Sequence, residues 1–140
     1  AQLMPEFTVV FGARGDDPEA LEFLSRMGVR VLHQAEIDDI GFAAAMDEAL
    51  AIVETAPNGF GVSLDLDALG PRTAPGIGPP EPDGLFGRQV LASIGHIADA
   101  TGLRAMELRQ CHPDRDHQGL TTQLIAKLLL GIQSARRCRA

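Results

Sequence analysis

Asp65-Leu66-Asp67 closes the apolar run that begins at Phe60, placing two carboxylates two residues apart. At the carboxyl end of a strand this spacing sends both to one face, where they can converge on a single cation. Hard oxygen donors suit magnesium, manganese or calcium rather than copper or a thiolate-selected metal. A bare Asp-x-Asp is equally well a solvated acidic strand end, so the next stretch of chain decides its meaning. Nine of the fifteen residues from Gly70 to Gly84 are glycine or proline, which makes that segment neither helix nor central strand. A stiff loop of this length at a strand mouth favours function. A second polar group, Gln110 to Gly119, holds Cys111, His112, Asp114, Asp116 and His117. Its spacing fits no closed zinc pattern, and alone it reads as a polar strand-to-helix connection. Asp17, just before Pro18, has a structural explanation as a helix cap followed by a first-turn proline. His33 and His96 read as structural or exposed.

The elements that must position these residues form four strand-then-helix units. Phe7 to Phe11 is rich in β-branched and aromatic residues and reads as a strand ended by Gly12. The helix capped by Asp17 carries Leu21, Leu24 and Met27 as its apolar stripe and stops at Gly28. Val29 to Leu32 is the second strand. Phe42 to Ala56 is a helix with Met46, Leu50 and Val53 on one face, stopped by Pro57-Asn58-Gly59. Phe60 to Leu66 is the third strand. After the Gly/Pro loop, a helix from about Phe86 to Thr101 turns Val90, Leu91, Ile94 and Ile97 inward. Leu103 to Leu108 is the fourth strand, and Leu120 to Ser134 the last helix, with Leu124, Ile125, Leu128 and Leu129. Such alternation predicts an α/β fold, an open parallel sheet of about four strands with flanking helices. In such sheets the ligand site lies beyond the carboxyl ends of the strands, which singles out loops 12–17, 65–84 and 110–119.

The 140 residues amount to one domain, closed by a basic tail over 135–140. Twelve basic residues face nineteen acidic ones, for a net charge of −7. Arg136, Arg137 and Arg139 crowd the carboxyl end, so the remainder is more acidic still. That balance is a poor match for nucleic acid or an anionic membrane, and without Trp or Tyr there is little to stack on bases. No apolar run approaches the ~18 residues a membrane span requires. Two cysteines, Cys111 and Cys138, make no disulfide scaffold, and the expected setting is the reducing cytoplasm.

The longer pattern resembles a known family. Ser63-Leu64-Asp65-Leu66-Asp67-Ala68-Leu69-Gly70-Pro71, followed by Ala74-Pro75-Gly76-Ile77-Gly78-Pro79-Pro80-Glu81-Pro82-Asp83-Gly84-Leu85, is similar to the arginase/agmatinase (ureohydrolase) signature. That signature runs S-[apolar]-D-[apolar]-D-x-x-x-P and then A-P-G-T-G-T-P-x-x-G-G. Gly12 to Pro18 resembles the family's G-[IL]-R-x-x-D-P segment, Gly28 to Val31 its G-[VI]-[KR]-x strand, and Ala105 to Pro113 the stretch holding E-x-N-P. Essentially the whole chain is covered, with the arginase branch the best fit. The resemblance implies the carboxyl-terminal half of an arginase-like three-layer fold and a two-manganese centre. Asp65 would bridge both ions and Asp67 would ligate one. The metals would lower the pKa of a water that attacks a guanidinium carbon and releases urea. Asp17 would contact the substrate's amino-acid end, and Gln110 would lie at the guanidinium.

The departures from the family pattern shape the expectation. The remaining metal ligands of the family lie in a histidine-containing segment and a D-x-H-x-D motif, and this sequence contains no D-x-H-x-D. It is expected to begin near the middle of the family fold, without the catalytic histidine. Gln110 stands where the family grips the guanidinium with glutamate. A carboxylate accepts charge-assisted hydrogen bonds worth roughly 1.5–3 kcal/mol each, which a neutral amide cannot fully replace. Ile77 and Pro79 replace the two threonines, and His112 the asparagine before Pro113. Two readings result: half of a ureohydrolase, inactive alone, or a non-catalytic arginase-like fragment acting as an oligomerising or partner subunit. In either, an amino-terminal half or self-association is expected to cover the open strand edge. A guanidinium compound is a substrate only if the site is completed.

Overall fold

Strands and helices alternate as the sequence predicts. The computed structural model describes residues 3–14, 17–78 and 83–137. Among the positions singled out above, Gly15, Asp16, Pro79, Pro80, Glu81, Pro82, Cys138 and Arg139 lie outside them. The chain divides into two compact units, Ala1–Phe60 and Gly61–Ala140.

In the first unit β1 (Val9–Ala13) pairs in parallel with β2 (Arg30–His33), Val10 opposite Val31 and Phe11 opposite Leu32. Their crossover is α1 (Pro18–Arg26), where Asp17 accepts the Ala20 amide at 2.9 Å and Pro18 opens the helix. The cap is as expected. The strand is later than expected, because Pro5–Phe7 is a 3₁₀ turn and β1 runs on through Gly12. Gly12 carries a φ of 79°, and the register slips between Phe11 and Ala13. The predicted α1 stripe is only half-buried at Leu21 and Leu24, and Met27 is 53% exposed. A helix absent from the sequence reading, α2 (Gln34–Ile40), follows β2 directly and stops at Gly41 with φ 89°. At seven residues it is too short for hydrophobic periodicity to declare it, although Ile37 is buried. In α3 (Phe42–Val53) Ala45 and Ala49 make the buried contacts, while Met46, Leu50 and Val53 are half-buried. Phe42 meets Phe11 edge-on at 5.4 Å. Between β2 and these helices, Arg30 donates to Glu48 at 2.6 Å, to Glu36, and to the Val31 carbonyl.

The second ladder joins β3 (Phe60–Asp65) to β4 (Leu103–Arg109). Gly61 lies beside the Ala105 carbonyl and the Ser63 hydroxyl donates to Glu107 at 2.7 Å, so the two strands run the same way. Among the described residues the hydrogen-bonded ladders are these two parallel pairs. Crossover helix α4 (Gly87–Asp99) buries Val90, Ile94 and Ile97 as expected, along with Ser93 and Ala98. It packs on α5 (Leu120–Arg137), which buries Leu124 and Leu128 but leaves Leu129 52% exposed. The basic tail begins inside α5. Arg136 and Arg137 lie in its last turn, favourable at the negative end of the helix dipole, and Arg136 reaches the Leu103 carbonyl. No described helix is long and apolar enough to cross a membrane.

Candidate functional site

The site forms where β3 ends. Asp65 is the last strand residue, and the chain turns at once into a 3₁₀ segment, Leu66–Ala68. The turn corrects the expectation that strand alternation aligns the two carboxylates. The Asp65 side chain instead accepts the Asp67 amide at 2.9 Å, a local turn of the kind short acidic side chains make. Asp65 is thereby fixed by the backbone that carries Asp67. Leu66 and Leu69, both fully buried, anchor the turn beneath.

Asp67 is held from the Gly/Pro loop. Its Oδ1 accepts the Gly78 amide at 2.7 Å. A Cβ on Gly78 would stand 2.7 Å from Asp67 Oδ2 and push the carboxylate from this position. The ends of the loop are pinned together as the Leu85 amide donates to the Ala68 carbonyl at 2.9 Å and the Gly70 amide to the Leu85 carbonyl at 3.1 Å. Gly84 makes that possible, since a Cβ there would lie 2.6 Å from the Gly70 nitrogen and the Leu69 carbonyl carbon.

The segment after β4 completes the frame. Gln110 is exposed and takes a φ of 59°, a left-handed conformation costly for a residue with a Cβ. The His112 amide donates to the Gly76 carbonyl at 2.8 Å, and the Arg115 guanidinium to the Gly78 carbonyl at 2.9 Å. Asp116 accepts the Thr121 amide at 2.8 Å, and from Thr122 both the amide at 2.9 Å and the hydroxyl at 2.7 Å. Desolvation pushes the Asp116 carboxyl up. The hydrogen bonds from Thr122 and Thr121 outweigh it and hold it near about 2, below the ordinary 3.8. Asp116 is therefore the cap of α5, set one 3₁₀ turn ahead of it. Thr121, fully buried, accepts the Gly76 amide at 2.7 Å.

The structure thus places Asp65 at the strand end and Asp67 in the turn that follows, and ties Asp67 through the Gly/Pro loop to the segment after β4. Gln110 stands on that second loop. Asp17, in the first unit, is engaged as the α1 cap. Sequence reasoning passed over Arg115 and Thr121. Asp116 shortly before an apolar-periodic run was a legible cap signal, but the intervening turn set it out of the usual spacing.

The donor chemistry at Asp65 and Asp67 fits a hard divalent cation; the donor number does not complete a two-metal centre. Manganese favours about six oxygen or nitrogen ligands. Among the described residues no three His, Cys, Asp or Glu side chains come together to hold an ion. The row from Cys111 to His117 forms no such cluster.

Comparison with known proteins adds an independent line. The Arginase family model matches residues 1–133. An arginase from Brevibacillus brevis is 36% identical over 127 residues, covering 91% of this chain and 43% of its own length. Proclavaminate amidinohydrolase from Streptomyces clavuligerus is 32% identical over 139 residues, covering 95% and 44%. The crystal structure of Bacillus subtilis arginase matches with a TM-score of 0.84 at 30% identity, over 91% of this chain and 45% of that one. The chain spans a little under half the length of these two curated relatives.

Proposed function

This chain belongs to the arginase family, and we propose that it supplies the Asp65–Asp67 carboxylates of a manganese-dependent ureohydrolase site whose other ligands come from outside this sequence. The observation that carries the reading is the pair itself: two carboxylates at one strand end, each oriented by a backbone amide. Oriented carboxylates are what a bound divalent ion requires. Bound manganese supplies activation of water for attack on a guanidinium carbon. The chain's own residues do the holding. Asp65 would bridge the ions and Asp67 ligate one, kept in place by Gly78. Gln110 would meet the guanidinium. The named relatives, arginases and an amidinohydrolase, support cleavage of a guanidinium C–N bond with release of urea.

Gln110 favours a second reading, a non-catalytic subunit. At the position where the family pattern has glutamate, a neutral amide gives up charge-assisted bonds to the cation. The test is urea release from arginine and agmatine with saturating Mn²⁺. The chain would be assayed alone and mixed with the portion of the Brevibacillus brevis arginase that it does not match. The half-enzyme reading expects release only in the mixture, abolished by Asp65→Ala and raised by Gln110→Glu. No release from the mixture even with Gln110→Glu would favour the non-catalytic subunit.

A further inference from the structure

Thr121 has no packing reason to be a threonine. It is fully buried in the first turn of α5, where valine has the same shape and carries no polar atom to desolvate. Its hydroxyl oxygen accepts the Gly76 amide at 2.7 Å, and the same hydroxyl faces the Asp116 carboxylate. The carbonyl of the same Gly76 accepts the His112 amide at 2.8 Å, so both polar groups of this residue are gripped. There is no slack around it. A Cβ on Gly76 would lie 2.9 Å from the Asp116 Cβ, 3.0 Å from the Thr121 hydroxyl and 3.1 Å from the His112 carbonyl.

Two residues further on, Gly78 is gripped in the same manner. Arg115 takes its carbonyl at 2.9 Å, and its amide points at Asp67 at 2.7 Å. Ile77, the single residue between, is buried and cannot swing out without exposing its side chain. The direction of the Gly78 amide is therefore fixed from both sides. Thr121 is itself fixed, because Asp116 accepts its amide.

We propose that Thr121 is a positioning residue for the Asp67 carboxylate, acting through the Gly76–Gly78 backbone, with Arg115 as the second hold on the same segment. The consequence for the site rests on the reading of Asp67 as a metal ligand. Ligand carboxylates work only when oriented to within roughly half an ångström, and the groups behind them do the orienting.

The experiment is amide hydrogen exchange on this chain, read at Gly78 and at Ile94 in α4, with Mn²⁺ alone as the probe of cation binding. Thr121→Val is expected to speed Gly78 exchange about tenfold while leaving Ile94 protected, and to weaken Mn²⁺ binding. Thr121→Ser, which restores the hydroxyl, is expected to stay within about twofold of wild type in both readouts. A threonine that only packs α5 would leave Gly78 unmoved. Unchanged Gly78 exchange in Thr121→Val, or equal acceleration in Thr121→Ser, overturns the proposal. Should Thr121→Val not fold, Arg115→Ala at an exposed position carries the test: faster exchange at Gly78 supports the proposal and an unchanged rate overturns it. Asp67→Asn separates the two readings. If it leaves Mn²⁺ binding untouched, the ligand reading fails, while Gly78 exchange still decides whether Thr121 positions the segment.

Discussion

In the first unit, Glu36 and Glu48 converge on Arg30, whose guanidinium also reaches the Val31 carbonyl. Its hydrogen bonds to Glu36 and then to Glu48 push the Arg30 pKa up, and the bond from Arg30 draws Glu36 down. In the second unit, Asp65 and Asp67 each accept a backbone amide, and the amide that meets Asp67 is carried by a loop clamped from α5. A single guanidinium bonded to both carboxylates ties them directly, so the first group is a structural tie. An amide orients a carboxylate without carrying a formal charge of its own. Carboxylates thus serve an ion pair in one unit and amide-oriented turns in the other.

The contrast can be broken most severely at Gly84. Gly84→Ala would drive a Cβ to 2.6–2.8 Å of the Gly70 nitrogen, the Leu69 carbonyl carbon and the Ala68 carbonyl oxygen, all backbone that cannot yield cheaply. Destabilisation of about 2–3 kcal/mol is expected in urea unfolding, together with loss of cation binding. On the ion-paired side, Arg30→Ala leaves two carboxylates facing each other. Its cost is expected at about 1–2 kcal/mol, reduced because the side chains are each about a third exposed, with Mn²⁺ binding unchanged.

A smaller effect sits at the clamp. The Asp116 carboxyl is depressed from 3.8 to about 2 in the folded chain. Its contribution is full above the ordinary value and is lost as the pH falls through about 2. Thermal unfolding of wild type and Asp116→Ala should differ by a constant amount at neutral pH, and the gap should close between about pH 4 and pH 2. A gap that closes near neutrality would point to a histidine instead. The mildest effect is expected at Gln110, whose left-handed backbone suits glycine. Gln110→Gly should raise stability by about 0.5 kcal/mol, the relief of strain less the added chain entropy, and a loss would mean its side chain holds the loop.

Legibility in the sequence followed the range of the interaction. The cap at Asp17, the stop at Gly28 and the four strands are written within a few residues, as is the Gly/Pro loop with its Asp65–Asp67 pair. Even there the local geometry differed, because Asp65 turns back onto the Asp67 amide instead of continuing the pleat. Contacts joining distant positions left no such trace. Thr121 meets Gly76 forty-five residues away, Arg115 meets Gly78 across thirty-seven, and Arg30 meets Glu48 across eighteen. None has a local signature, since a threonine in a first helical turn and an arginine in a loop are ordinary in themselves. The half-buried faces of α1 and α5 were overread for a related reason. Periodicity marks which residues could be buried, and only the packing decides whether Met27 and Leu129 are.

The central claim is that Asp65 and Asp67 are a poised but incomplete cation site, and the most direct measurement is the number and affinity of Mn²⁺ ions bound per chain. Titration followed by electron paramagnetic resonance should find a single weakly held ion in the wild type, absent in Asp65→Ala and in Asp67→Asn. Binding left intact by both substitutions, or two tightly held ions on the chain alone, would contradict the account.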